Sequence, residues 1–247
     1  MILRKGDQLA DEVTQAIRGG GLEALRKVLA DHPGLSAARI ADKRGSGTLL
    51  HIVTDWPGFF PNGPEVVTIL IADGADPNAR TGGAGDEPGE TPLQYAASND
   101  DVEVAEALFL GGADIEARGG SIAGGTALEN AIGYGCWRVA RLLLNHGAKV
   151  EKLWHAAALG MTPMLEKFLT EGSSSSEEVN HAFWQACRGG YRRTAEYLLA
   201  RGANLNWVPD YVRETPLEIS QSAGLDTGRE ALVNWLREKG AKPSGAS

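Results

Sequence analysis

Apolar residues along this chain recur at helical rather than strand spacing. Val102, Val104, Ala105, Leu108 and Phe109 mark one face of a helix. One phrase, an apolar pair followed two residues later by Gly-Ala, returns at intervals. It reads Ile69-Leu70-Ile71-Ala72-Asp73-Gly74-Ala75, then Ala107-Leu108-Phe109-Leu110-Gly111-Gly112-Ala113, then Leu143-Leu144-Asn145-His146-Gly147-Ala148. Weaker copies end at Gly172, Ala203 and Ala241. Gly74, Gly112, Gly147 and Gly202 stand where a helix terminus takes a left-handed residue. Upstream lies a second phrase: Thr48-Leu49-Leu50-His51, Thr91-Pro92-Leu93-Gln94-Tyr95-Ala96-Ala97, Thr126-Ala127-Leu128 and Thr215-Pro216-Leu217. Threonine caps a helix and proline suits its first turn. The Leu-Ala-Ala stretch that follows gives a slim face that lets neighbouring helices approach closely.

The recurring T-P-L-H-x-A-A phrase resembles the ankyrin repeat family, in a bacterial type carrying an Asp55-Trp56-Pro57-Gly58-Phe59-Phe60-Pro61-Asn62-Gly63 insertion. The likeness covers almost the whole chain. It implies an all-α solenoid of about seven helix-turn-helix units with short β-hairpin or loop connections, each unit stabilised by stacking on its neighbours. Residues 1–247 then form one domain. A degenerate N-terminal cap unit occupies 1–45, with helices over Gln8 to Arg18 and Leu22 to Ala30. Central repeats fill 46–212, a C-terminal cap unit 213–241, and a tail 242–247. The resemblance also implies an interaction scaffold that binds a protein through its concave groove and hairpin tips, and a structural role for His51 in tying neighbouring hairpins.

Departures from the repeat show where function could sit. Equivalent positions Leu50, Leu93, Leu128, Leu153, Phe183 and Leu217 are separated by 43, 35, 25, 30 and 34 residues, against about 33 for the ideal repeat. The first step is long because of the aromatic, proline-rich loop Asp55 to Pro64, whose rings either plug the groove beside the N-terminal cap or contact a ligand. The hairpin Thr81 to Glu90 is long, polar and Gly-rich, and reads as a flexible tip. The third step is short: its hairpin finger is almost deleted. Trp154 and Trp184 are one repeat apart in register and should stack, filling that space. Ser176 reads as the cap of the helix that follows Ser173-Ser174-Ser175. Trp207 and Tyr211 sit at the tip of the last hairpin.

Composition narrows the function classes. Lys and Arg number 24 against 32 Asp and Glu, a formal charge of −8, which repels phosphate backbones and disfavours nucleic-acid binding. Two cysteines are too few for a disulfide framework and fit a reducing compartment. No signal peptide is expected, since the first residues lack an apolar core, and no apolar run of membrane-spanning length occurs in the sequence. A cytoplasmic monomer with no membrane association, no cofactor and no metal is expected. Hydrolase, nucleotide and metal motifs are absent.

The family register places Asp55 and Trp56, Ser98 and Asn99, Gly133 and Tyr134, Ala158 and Leu159, and Arg188 and Gly189 in the groove. The expected binding set is Asp55, Trp56, Phe59, Phe60, Ser98, Asn99, Tyr134, Trp154, Trp184, Arg188 and Trp207. The leading function is a protein-binding module whose partner presents a basic or neutral patch. The alternative is a small-molecule-binding or catalytic site in the concave groove, built around Asp55, Trp56 and Tyr134. In that reading Asp55 and His155 would carry acid–base chemistry.

Overall fold

The structure, a computed structural model, describes residues 1–43, 45–82, 89–222 and 227–245. Two compact units divide the chain, Met1–Lys149 and Val150–Ser247. The boundary falls at the short step, where one repeat's last helix ends at Asn145 and the next begins at Leu153.

Unit 1 holds four helix pairs: α1 (Gln8–Arg18) with α2 (Leu22–Asp31), α3 (Leu49–Val53) with α4 (Gly63–Ala72), α5 (Pro92–Asn99) with α6 (Val102–Leu110), and α7 (Ala127–Tyr134) with α8 (Trp137–Asn145). Unit 2 holds three: α9 (Leu153–Ala158) with α10 (Thr162–Glu171), α11 (Ser176–Gly189) with α12 (Arg192–Leu199), and α13 (Pro216–Ser222) with α14 (Thr227–Glu238). Seven pairs are therefore present among the described residues, as the repeated phrases predict.

Five of the seven first helices, all but α1 and α9, start on a reciprocal cap. Thr48 with His51, Thr91 with Gln94, Thr126 with Glu129, and Ser175 with Glu178 all form capping boxes, which satisfy the helix's orphan N–H groups. Thr215 and Glu218 bond in the same way, at 2.9 and 3.3 Å. The cap of α11 is thus Ser175 and not the expected Ser176, which has Val179 and no glutamate three residues on. The second helices of four repeats end at Gly74, Gly112, Gly147 and Gly202, with φ of 103°, 93°, 88° and 89°. That is the left-handed region, where a side chain is penalised.

Small residues, including Ala96, Ala97, Ala131, Ala156, Ala157 and Ala186, are buried along the first helices. Leu50, Leu70, Leu93, Leu108 and Leu128 fill the core of unit 1, and Phe183, Trp184, Leu198 and Leu232 that of unit 2.

A small sheet joins the first two repeats. β1 (Ile2–Arg4) runs parallel to β2 (Arg39–Asp42), and β2 antiparallel to β3 (Gly45–Thr48). Ser46 then bridges to Gly82. The next hairpin closes at its base, Thr81 N–H donating to the Glu90 carbonyl at 2.9 Å. Its expected flexible tip, residues 83–88, lies outside the described residues. At the other end of the chain, the Lys242 N–H donates to Asn206 Oδ1 at 2.8 Å, and the Ser244 hydroxyl to Glu218 Oε1 at 2.7 Å.

Candidate functional site

A cavity of about 520 Å³ opens in unit 1 between the sheet and the first helices. Lys5, Asp11, Thr14 and Arg18 line it from the N-terminal side, Asp42, Ser46 and Gly47 from the hairpin, and His51, Ile52 and Asp55 from α3 and its end. Its volume lies in the usual range for ligand sites. Its lining, however, is mixed in charge.

Arg18 and Asp55 form an ion pair at 2.6 Å across its rim, each side chain a little under half exposed. Solvent screening leaves such a pair worth little. Asp55→Asn is therefore expected to change unfolding free energy by less than about 1 kcal/mol; equilibrium denaturation checks this.

His51 lines the same cavity but is committed elsewhere. The Thr48 backbone N–H donates to its Nδ1 at 3.1 Å, and its Nε2 lies 3.0 Å from the Glu90 carbonyl. Nδ1 accepts, so Nε2 carries the proton. Burial lowers its pKa from 6.5 to about 4, because the charged form would lose its hydration. The ring is a neutral strut between two hairpins, the structural role that the resemblance implies.

Trp56, Phe59 and Phe60 do not line this cavity. Their loop is held outside it. The Phe59 N–H donates to Asp101 Oδ2 at 2.7 Å, Asn62 Nδ2 to the Gly20 carbonyl at 2.9 Å, and Asn99 Nδ2 to the Thr54 carbonyl at 2.8 Å. Phe60 is partly covered, with the Arg18 guanidinium 5.6 Å from its ring centre. Trp56 and Phe59 are 80% and 55% exposed. Of the remaining candidates in unit 1, Ser98 Oγ donates to the Gln94 carbonyl at 3.0 Å. The Tyr134 hydroxyl lies 3.2 Å from Ser121 Oγ on the neighbouring finger, with its ring half exposed.

In unit 2 an aromatic cluster gathers around His181. Trp154, Trp207 and Tyr211 lie 5.8, 6.1 and 6.0 Å from its ring, and the Tyr211 hydroxyl is 2.7 Å from Nε2. Burial lowers the pKa of His181 and raises that of Tyr211. Trp184 lies deeper. Its Nε1 donates to the Glu214 carbonyl at 2.8 Å, and the Arg188 guanidinium sits 5.8 Å from its ring. The expected stacking of Trp154 on Trp184 is not found among the described residues: Trp154 faces His155 and His181, and Trp184 faces Tyr211. His155 is buried, only 3% exposed. Cys187 is fully enclosed, and burial raises its thiol pKa.

Residues 50–152 match the family model for ankyrin repeats in three copies. The chain carries ankyrin repeats. The ankyrin repeat and KH domain-containing protein mask-1 of Caenorhabditis elegans is 31% identical over 145 residues, 59% of this chain and 4% of that protein. The B-cell lymphoma 3 protein homolog of Mus musculus is 24% identical over 200 residues, 74% of this chain and 41% of that protein. The chain thus spans less than half the length of either curated relative. Among solved structures, the human ASB11 ankyrin repeat domain aligns with a TM-score of 0.53 at 17% identity, covering 94% of this chain and 99% of that one. That likeness shows the fold.

Within this ankyrin-repeat protein the sequence-predicted site residues fall into separate places. Asp55 lines the cavity, Trp56 and Phe59 project from a braced loop, Ser98 accepts from Asn130 Nδ2 of the next repeat at 3.2 Å and Asn99 donates to the repeat before, and Trp154, Trp184, Arg188 and Trp207 belong to the aromatic cluster of unit 2. The register of the repeat did not reveal Lys5, Asp11, Thr14, Asp42 and Ser46. They reach the cavity because the small sheet places the β2–β3 hairpin opposite α1. Among the described residues no group of three or more His, Cys, Asp or Glu is placed to hold a metal ion, and no helix is long and apolar enough to cross a membrane.

Proposed function

We propose that this ankyrin-repeat protein binds a protein partner through the groove of unit 1. Ankyrin repeats are generally protein-interaction modules, and the cavity supports that use here. Helices α1 and α3 and the β2–β3 hairpin form most of its lining. Lys5 and Arg18 face Asp11, Asp42 and Asp55 around it, a pattern that orients a partner by charge. The observation that carries the reading is the state of His51. The histidine in the cavity lining is buried, neutral and bonded at both nitrogens, which supports recognition over acid–base chemistry.

The test fills the groove. Thr14 lies on α1, partly exposed within the lining, so Thr14→Arg places a long side chain in the cavity without touching the core. With a partner purified from the source cells and titrated by calorimetry, Thr14→Arg is expected to weaken binding at least tenfold, about 1.4 kcal/mol. Unchanged affinity would remove the groove as the binding surface.

A further inference from the structure

We infer that the 56–62 loop of unit 1 is a preformed anchor that seats Trp56 and Phe59 in an apolar cleft with a basic rim on a protein partner. This rests on the protein-binding reading but uses a surface outside the cavity lining.

The physics of the loop points outward. Two large rings stand in water, 80% and 55% exposed, where burial would favour them. The backbone is held in that arrangement at a conformational cost. Phe59 has φ 55° and Asn62 φ 53°; a bulky residue rarely adopts the left-handed region unless its surroundings impose it.

The surroundings do impose it. Asp101, 2% exposed, accepts the Phe59 N–H at 2.7 Å and also caps α6 through the Val104 N–H. On the other side Pro61 packs so closely on Gly20 that a Cβ there would lie 2.2 Å from the Pro61 carbonyl oxygen. Asn62 bonds the Gly20 carbonyl. The loop is therefore clamped to the repeats before and after its own. The clamps fix the backbone while Trp56 and Phe59 remain exposed.

Such a surface is suited to binding. Rigid aromatics lose little conformational freedom on association, and tryptophan dominates interface hot spots. Charge selects the partner. Unit 1 holds 13 Lys and Arg against 20 Asp and Glu, a formal −7, while unit 2 holds 11 against 12, a formal −1. The anchor stands on the strongly acidic unit, so a basic rim is complementary to it and an anionic membrane surface is not.

The experiment introduces a benzophenone-bearing phenylalanine at position 56 in the full chain, with position 110 as control, since Leu110 is also highly exposed, at 75%. The protein captured at 56 is purified and titrated against variants of the full chain. Trp56→Ala and Phe59→Ala are each expected to weaken binding tenfold or more with an unchanged melting temperature. Trp56→Phe should retain most of the affinity, and Leu110→Ala should have no effect. Association should slow as ionic strength rises from about 0.05 to about 0.5 M.

The inference is overturned if position 56 captures nothing beyond the control, if Trp56→Ala leaves affinity unchanged, or if salt strengthens binding. Trp56-dependent adsorption to phosphatidylcholine–phosphatidylserine vesicles in place of a protein would also overturn it. If Thr14→Arg still weakens binding while the loop variants do not, the groove reading stands and the anchor falls. If none of these variants changes affinity, both fall.

Discussion

Trp184→Ala is expected to cost unit 2 about 3–5 kcal/mol, enough to unfold much of it at physiological temperature if its stability is of ordinary size. Trp184 is 2% exposed and heads the fully buried side chains by volume. Its replacement opens a cavity in the middle of α11, where the surrounding helices can collapse only partly. It also leaves the Glu214 carbonyl without the Nε1–H that reaches it at 2.8 Å, and Glu214 lies just before the Thr215 cap of α13. The damage therefore spreads from packing to the start of the next helix. Equilibrium unfolding followed by tryptophan fluorescence and circular dichroism measures it. A loss below about 1 kcal/mol would mean that the site relaxes fully and that Trp184 is not a core element.

Acid is expected to weaken unit 1 by about 3 kcal/mol through His51 alone. Its folded pKa of about 4 lies below the ordinary 6.5. Above pH 6.5 the ring is neutral in both states and its contribution is fully present. Between 6.5 and about 4 the unfolded chain takes up a proton that the folded chain refuses, so stability falls as pH falls. Below about 4 both states are protonated and the loss levels off. Glu218, held at about 2 by its bonds to Thr215 and Ser244, loses its contribution as pH falls from its ordinary 4.5 to about 2, so the two windows overlap only near their shared edge.

His51→Gln is the control for this titration. Gln94 performs the same duty in the next repeat, accepting from the Thr91 N–H at 2.7 Å and donating to the Ala117 and Gly125 carbonyls. The difference in slope between parent and variant from pH 7 to 4 isolates the histidine. Equal slopes would show that His51 is not held neutral by its burial.

How much of this is legible in the sequence depends on the range of the interaction. The helix pairs can be read because their start and stop are local: a threonine meets a side chain three residues on, and a glycine ends the second helix. The same rule excludes Ser176, which Val179 follows by three, but leaves Ser174 with Glu177 and Ser175 with Glu178 as equal choices. β1 is not legible. Ile2-Leu3-Arg4 is too short to show a period, and its partner Arg39–Asp42 lies beyond two helices. The cavity depends on that sheet, so most of its lining is invisible to repeat register.

The direction of Trp56 and Phe59 is likewise set by Asp101, 42 residues after Phe59. The failed pairing of Trp154 with Trp184 has a comparable cause. α9 is 6 residues long and carries Trp154 in its first turn, whereas α11 is 14 residues long and carries Trp184 mid-helix. Equal register therefore does not put the two rings at equal depth.

The reciprocal caps have a bearing on how such a chain changes length. A repeat that carries its own threonine, its own partner three residues later and its own terminal glycine can be duplicated or lost as a cassette, because the signals that define it travel with it. The second repeat of unit 1 is different. Its loop is fastened to Gly20 in the repeat before and to Asp101 in the repeat after, so its conformation is encoded in three places at once. Shuffling repeats would preserve its helices and destroy the posture of Trp56 and Phe59. That repeat is the least portable part of the protein, and its neighbours are constrained to travel with it.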